Sequence, residues 1–297
     1  MNLKELSEKY YLSSDFNSLA DKTKVDYQYC CSRLLDTWVD GNLMAKMCLT
    51  KLNGAMARRG YEVWLSRGTF SANAICSVAR KIYSFAMEMG YAETNPFSTF
   101  KRKTTQVRKV VWTKEQVKQF LNTSYSKFRW RNIGLIVQMA YEWCQRVGDM
   151  RMLEFQNIDF DKQILNLEQS KRRALVHLPI SDSLLEMLQQ QREEFGFQKY
   201  VAPYPYPFQG SYKPYSLTRL SKVARDVMNA SELPKELRIA DLRRTGTTEM
   251  VEAGVSMCQI MSVTGHANPS SVKPYMKNTF ASAESALTKR ESYGKSI

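Results

Sequence analysis

Residues 241–275 read DLRRTGTTEMVEAGVSMCQIMSVTGHANPSSVKPY. Arg243 is the third residue of the stretch, Thr264-Gly265-His266 lies in its second half, and Tyr275 closes it nine positions after His266. An arginine, a histidine and a tyrosine in this order have a joint use around a phosphate. The guanidinium grips it, the imidazole hydrogen-bonds it and the phenol oxygen attacks it.

Working outward supplies the parts such chemistry still lacks. Breaking a phosphodiester needs a nucleophile, positive charge at the non-bridging oxygens and a proton for the leaving oxygen. Two arginines can carry that charge without a metal, because their planar forks match phosphate oxygens bidentately. A tyrosine nucleophile keeps the bond energy in a phosphotyrosine, so rejoining needs no ATP. Upstream, residues 133–144 form an apolar helical pattern that delivers Gln145-Arg146, with Asp149 and then Asp159 beyond it. Residues 163–167 alternate as a strand and 174–180 do so less cleanly, with Ser170-Lys171-Arg172-Arg173 between them.

In order and spacing these residues resemble the catalytic box of the tyrosine recombinases, the family of phage integrases, Xer-type resolvases and Cre. The resemblance implies roles. Arg146 and Arg243 would be the two phosphate-binding arginines, His266 the later histidine of the motif, and Tyr275 the nucleophile. Lys171 would be the hairpin lysine that protonates the leaving oxygen. Asp149 stands where the family usually has a glutamate that supports the site from behind. One position departs from the pattern. The second arginine normally sits in His-x-x-Arg, but Ala240 lies three before Arg243, and the chain's only histidines are His177 and His266. That histidine serves the family as a general base or phosphate ligand. Three accounts are open: another group stands in, the protein is slow, or it is an altered, non-cleaving form.

The rest of the chain suits a partner of opposite charge. Its 297 residues are long enough for two cores, and 43% are apolar. Net charge is +14, which points to a polyanion. No apolar run reaches membrane-spanning length, and MNLKELSEKYY lacks the apolar core of a signal peptide. Nucleic acid is the partner left. The six cysteines (Cys30, Cys31, Cys48, Cys76, Cys144 and Cys258) form no CxxC, so they read as reduced core thiols, and neither metal nor cofactor is expected.

The expected fold is mainly α. An N-terminal helical domain over 1–100 is similar to the family's SAM-like core-binding domain. A basic linker covers 101–111, and a mixed α/β catalytic domain with a small antiparallel sheet covers 112–297. In the first domain the pattern predicts one helix over 18–39, with Leu19, Val25, Tyr29, Leu34, Leu35 and Trp38 inward. A second is capped by Thr50. A third starts at Thr69 or Ser71, packs Phe70, Ile75, Val78, Ile82, Phe85 and Met89, and ends at Gly90. Arg58, Arg59, Arg67, Arg80 and Lys81, with Lys101, Arg102 and Lys103 of the linker, are candidate DNA contacts, and the two domains could clamp a duplex. In the second domain Thr113 and Ser181 cap helices, and a Pro- and Tyr-rich loop spans 203–214. The tail carries Phe280, Ala283, Ala286 and Leu287 at helical spacing. It either packs on its own domain or docks into a neighbouring subunit, as the resemblance implies.

Taken together the sequence reads as a site-specific recombinase, most like a phage or mobile-element integrase. It would cleave and rejoin DNA through a 3′-phosphotyrosine and a Holliday junction, as a homotetramer on its target sites, with accessory DNA-bending factors. The setting would be a bacterial cytoplasm, at the nucleoid and away from membranes. The rivals are type IB topoisomerase-like nicking and closing, and a DNA-binding relative impaired by Ala240.

Overall fold

The computed structural model describes residues 1–171, 173–275 and 280–294. Its contacts fall into two units, Met1–Arg108 and Lys109–Ile297.

The first unit contains α1 (Leu3–Leu12), α2 (Ser14–Asn17), α3 (Asp21–Leu35), a hairpin of β1 (Trp38–Val39) and β2 (Asn42–Leu43), α4 (Gly54–Leu65) and α5 (Thr69–Glu88). The first helix was not expected from periodicity. It is held by a reciprocal cap, in which Asn2 Oδ1 accepts from the Glu5 amide at 2.9 Å and the Glu5 carboxylate accepts from the Asn2 amide at 3.1 Å. The helix predicted over 18–39 is shorter, and only part of its expected face is inward: Leu34 is buried and Leu19 and Leu35 pack on the core. It stops at Leu35, and Trp38 begins the hairpin, 63% exposed. Val25 and Tyr29 also face solvent, while Cys30, Cys31 and Leu34 are buried and Tyr27 packs beside them. The buried stripe runs through cysteines, which behave as small hydrophobes. Asn53, not Thr50, caps α4, accepting from the Met56 amide at 3.0 Å. Helix α5 begins at Thr69 and supplies Ile75, Val78, Ile82 and Phe85 to the core as predicted, but Phe70 and Met89 are exposed. Gly90 follows it at φ +71°, the left-handed ending that glycine favours.

The second unit contains α6 (Lys114–Tyr125), α7 (Phe128–Glu142), α8 (Val147–Met150), β3 (Ile158–Asp159), β4 (Ile164–Glu168), β5 (Leu175–Pro179), α9 (Asp182–Phe195), α10 (Leu217–Ala230), α11 (Leu242–Glu252), α12 (Met257–Thr264) and α13 (Phe280–Gly294). Thr113 and Ser181 cap α6 and α9 as predicted. Residues 132–140 of α7 are buried without interruption, so this helix is the hub of the unit. The sheet is antiparallel in the order β3-β4-β5. The two predicted strands pair through Leu165↔Leu178 and Leu167↔Val176, which face the core, and β3 adds a short edge. Leu287 of α13 is 57% exposed. All six cysteines are free, and Cys258 is exposed rather than in the core. No helix among the described residues is long and apolar enough to cross a membrane.

Candidate active site

Local backbone geometry brings distant motif residues together. After α7 the chain turns through Cys144 at φ +52° and presents Arg146 as the residue preceding α8. Helix α11 presses against the end of α7 at Gly246. A Cβ there would lie 2.5 Å from Cys144 Sγ and 2.9 Å from the Tyr141 carbonyl oxygen, so the approach requires glycine. One turn earlier on α11 stands Arg243. Helix α12 ends at Gly265 with φ +66°, and the reversal delivers His266.

Arg243 is only 8% exposed. Its Nη2 donates to the Thr264 carbonyl at 2.5 Å and lies 3.4 Å from His266 Nε2. Its Nη1 is buried with no hydrogen-bond partner among the described residues. Burial, and then the like charge of Arg146, lowers its pKa to about 10. It therefore remains a cation at neutral pH, but an under-satisfied one. Arg146 donates from Nη1 to Gln169 Oε1 at 2.8 Å and lies 3.7 Å from Asp149 Oδ2. Asp149 is buried, and its Oδ1 accepts from the Ser170 hydroxyl at 2.5 Å. The acid thus ties Arg146 to the base of the β4–β5 turn.

The hydrogen-bond pattern at Thr264 favours one His266 tautomer. The Thr264 hydroxyl donates its single proton to the Ile260 carbonyl at 2.7 Å. It can only accept from His266 Nδ1, 2.7 Å away. In the neutral ring Nδ1 then carries the proton, and Nε2 is an acceptor toward Arg243. Tyr275 ends a 3-10 turn over Lys273–Tyr275, and its ring centroid is 6.0 Å from that of His266. The guanidinium of Arg244 lies 4.9 Å from the Tyr275 ring centroid, a neighbour outside the motif pattern.

Four of the predicted residues (Arg146, Arg243, His266 and Tyr275) thus lie along one connected set of contacts. Lys171 stands exposed on the turn between β4 and β5. Arg172 lies outside the described residues, and Arg173 is engaged by Glu168 at 3.0 Å. Ala240 is exposed on the 3-10 turn before α11, beside a cleft also lined by Ser221, Arg225 and Met228. Gln145 and Gln169, to which the sequence pattern assigns no role, are both fully buried within the site. Their positions beside Arg146 and just before Ser170-Lys171 were the available signal.

In the first unit most candidate DNA contacts have internal partners. Arg80 donates to the carbonyls of Phe97 and Phe100 at 2.6 and 2.9 Å. Arg59 pairs with Asp40, Lys81 with Asp15, and Arg58 with Glu62. Arg102 bonds Ser77 and the Asn73 carbonyl. The Lys103 amide donates to the Tyr61 hydroxyl at 2.9 Å, and Arg58 reaches the Lys101 carbonyl at 3.2 Å. Arg67, Lys101 and Lys103 are exposed.

The phage integrase family profile matches residues 111–282. No curated protein sequence matches significantly. Among solved structures, a lambda integrase dimer bound to a COC′ core site is similar at 19% identity and TM-score 0.74, covering 93% of this chain and 76% of that one. The Tn1549 transposon integrase bound to circular intermediate DNA is similar at 14% identity and TM-score 0.79, covering 97% and 99%. A lambda integrase tetramer bound to a Holliday junction gives 18% identity and TM-score 0.76, covering 94% and 78%. The fold is that of a tyrosine recombinase. The chain belongs to the phage integrase family.

Proposed function

We propose that this chain is a site-specific DNA recombinase that works through Tyr275. The observation that carries the reading is the buried cation Arg243. Its Nη1 lacks a partner among the described residues, Arg146 repels it, and His266 stands beside it. Such an arrangement is uncomfortable alone and is relieved by an anion such as a scissile phosphate.

Tyr275 Oη attacks the phosphorus, forms the 3′-phosphotyrosine bond and expels the 5′ oxygen, which takes a proton from Lys171. Arg146 and Arg243 hold the non-bridging oxygens as charge builds on them. The acceptor state of His266 Nε2 supports a second duty for this ring. It receives the proton that Tyr275 loses, and the resulting imidazolium donates to the phosphorane. That assignment gives the reaction a base although position 240 is alanine. Rejoining reverses each step, with a 5′ hydroxyl as the nucleophile.

Asp149 supports Arg146 from behind. The exposed basic residues of the first unit, Arg67, Lys101 and Lys103, contact the DNA backbone. Four copies exchange strands between two duplexes through a Holliday junction, with DNA-bending proteins as accessory partners, in a bacterial cytoplasm.

Nicked duplexes carrying candidate sites test the reading. A denaturant-resistant protein–DNA adduct that disappears in Tyr275→Phe is the expected result. Site binding without any adduct would make the chain a binding relative, and relaxation of any plasmid by a monomer would make it a topoisomerase.

A further inference from the structure

We propose that Gln169 is a positioning residue whose neutral amide locks Arg146, Arg243 and the base of the Lys171 turn into one register without discharging either arginine. The inference rests on the two-arginine reading above.

Gln169 is fully buried. Its Oε1 accepts from Arg146 at 2.8 Å. Its Nε2 donates to Gln145 Oε1 at 2.7 Å and to the Thr264 carbonyl at 2.9 Å. That same carbonyl accepts from Arg243 at 2.5 Å. One side chain therefore joins both arginines through at most one shared atom. Its own amide is tied to Ala174 across the base of the turn at 2.9 Å. The next residue, Ser170, bonds Asp149. Arg146 is thereby linked to two successive residues at the foot of the lysine-bearing turn.

The amide cannot turn over. Gln145 Nε2 donates to the carbonyls of Trp143 and Val263, both at 2.7 Å. Its Oε1 is left to accept, so Gln169 must present N–H to it and oxygen to Arg146. A flipped amide would set two donors against the guanidinium. Gly265 closes the other side. A Cβ there would lie 2.7 Å from Gln169 Nε2, so the glycine serves this amide as well as the left-handed turn.

Neutrality is what the site needs from this holder. A carboxylate at position 169 would grip Arg146 more strongly, but it would compete with the phosphate for the charge. It would also offer no proton to Gln145 Oε1, leaving that buried acceptor without its donor, and none to the Thr264 carbonyl, which would keep Arg243 alone. An amide fixes geometry and leaves the field intact.

Gln169→Glu and Gln169→Met in the full chain, with wild type, test this by three readouts: duplex affinity with thermal midpoint, inorganic phosphate binding by 31P NMR, and single-turnover adduct formation. Gln169→Glu should bind duplex within about threefold of wild type. It should lose at least about tenfold in phosphate affinity and at least about 30-fold in adduct rate. Gln169→Met, which leaves the charges but frees them, should lose rate with a smaller loss of phosphate binding. If Gln169→Glu does not fold, that Met pattern carries the test. Phosphate binding and adduct rate both unchanged in the folded variants would overturn the proposal. So would a fall in duplex affinity and midpoint in step with the rate, which marks a folding role alone. If wild type itself makes no adduct, the recombinase reading fails, and the phosphate titration still decides the role of Gln169.

Discussion

The Thr264 hydroxyl sits 2.7 Å from His266 Nδ1 and donates its hydrogen bond to the Ile260 carbonyl. This pair sets the resting imidazole with Nε2 as acceptor. His266→Gln should cut single-turnover adduct formation by ~10²–10⁴-fold, the usual range for a lost general base, while duplex affinity holds. Thr264→Val should cut it less, by freeing the tautomer. Ala240→His should add little on the proposal that His266 is the proton acceptor; position 240 is exposed. A large gain in Ala240→His would instead show that the proton acceptor is missing in the native chain.

Arg243 carries opposite consequences for stability and activity. Folding lowers its pKa to about 10, so the unfolded chain holds that proton more tightly and the buried charge destabilises the fold at neutral pH. Arg243→Met should be as stable as wild type or more so, by about 1–4 kcal/mol in chemical denaturation. It should form at least ~10²-fold less adduct. The same shift has a sign for binding. The cation is present below about 10, so inorganic phosphate should bind more weakly as pH rises through about 10. Binding undiminished above that value would return Arg243 to its ordinary range.

Gly246→Ala tests the contact between α11 and α7. The new methyl meets a backbone oxygen as well as Cys144 Sγ, so a loss of about 1–3 kcal/mol in unfolding free energy is expected. Adding Cys144→Ala should restore part of it, since the sulfur can be removed and the Tyr141 carbonyl cannot.

Arg80 and Arg67 should separate structure from DNA contact in the first unit. Arg80→Ala removes two charged hydrogen bonds to the carbonyls of Phe97 and Phe100, which predicts about 1.5–3 kcal/mol of lost stability per bond. Arg67 is exposed. Arg67→Ala should leave the melting midpoint unchanged and lower the salt dependence of DNA binding by about 0.9 in log–log slope. An unchanged slope would remove Arg67 from the interface.

Sequence alone determined what acts over short spans. Capping at Thr113 and Ser181, the paired strands around Lys171, and the spacing of His266 to Tyr275 are local, and each was legible. The buried face of α3 is only partly legible, at Leu34 and Leu35, because the rest of its stripe runs through Cys30 and Cys31, which a scan for large apolar residues passes over. The hairpin at Trp38 is hidden in the sequence because two-residue strands leave too short a pattern to oppose the preceding helical periodicity. Tertiary structure alone decided the use of neutral polar groups. Gln145, Gln169 and the Thr264 carbonyl have no charge and no period to mark them. They become a scaffold for two arginines only after α7, the β4–β5 turn and the end of α12 meet, because a hydrogen bond is specified by position and direction, and both are set by the fold.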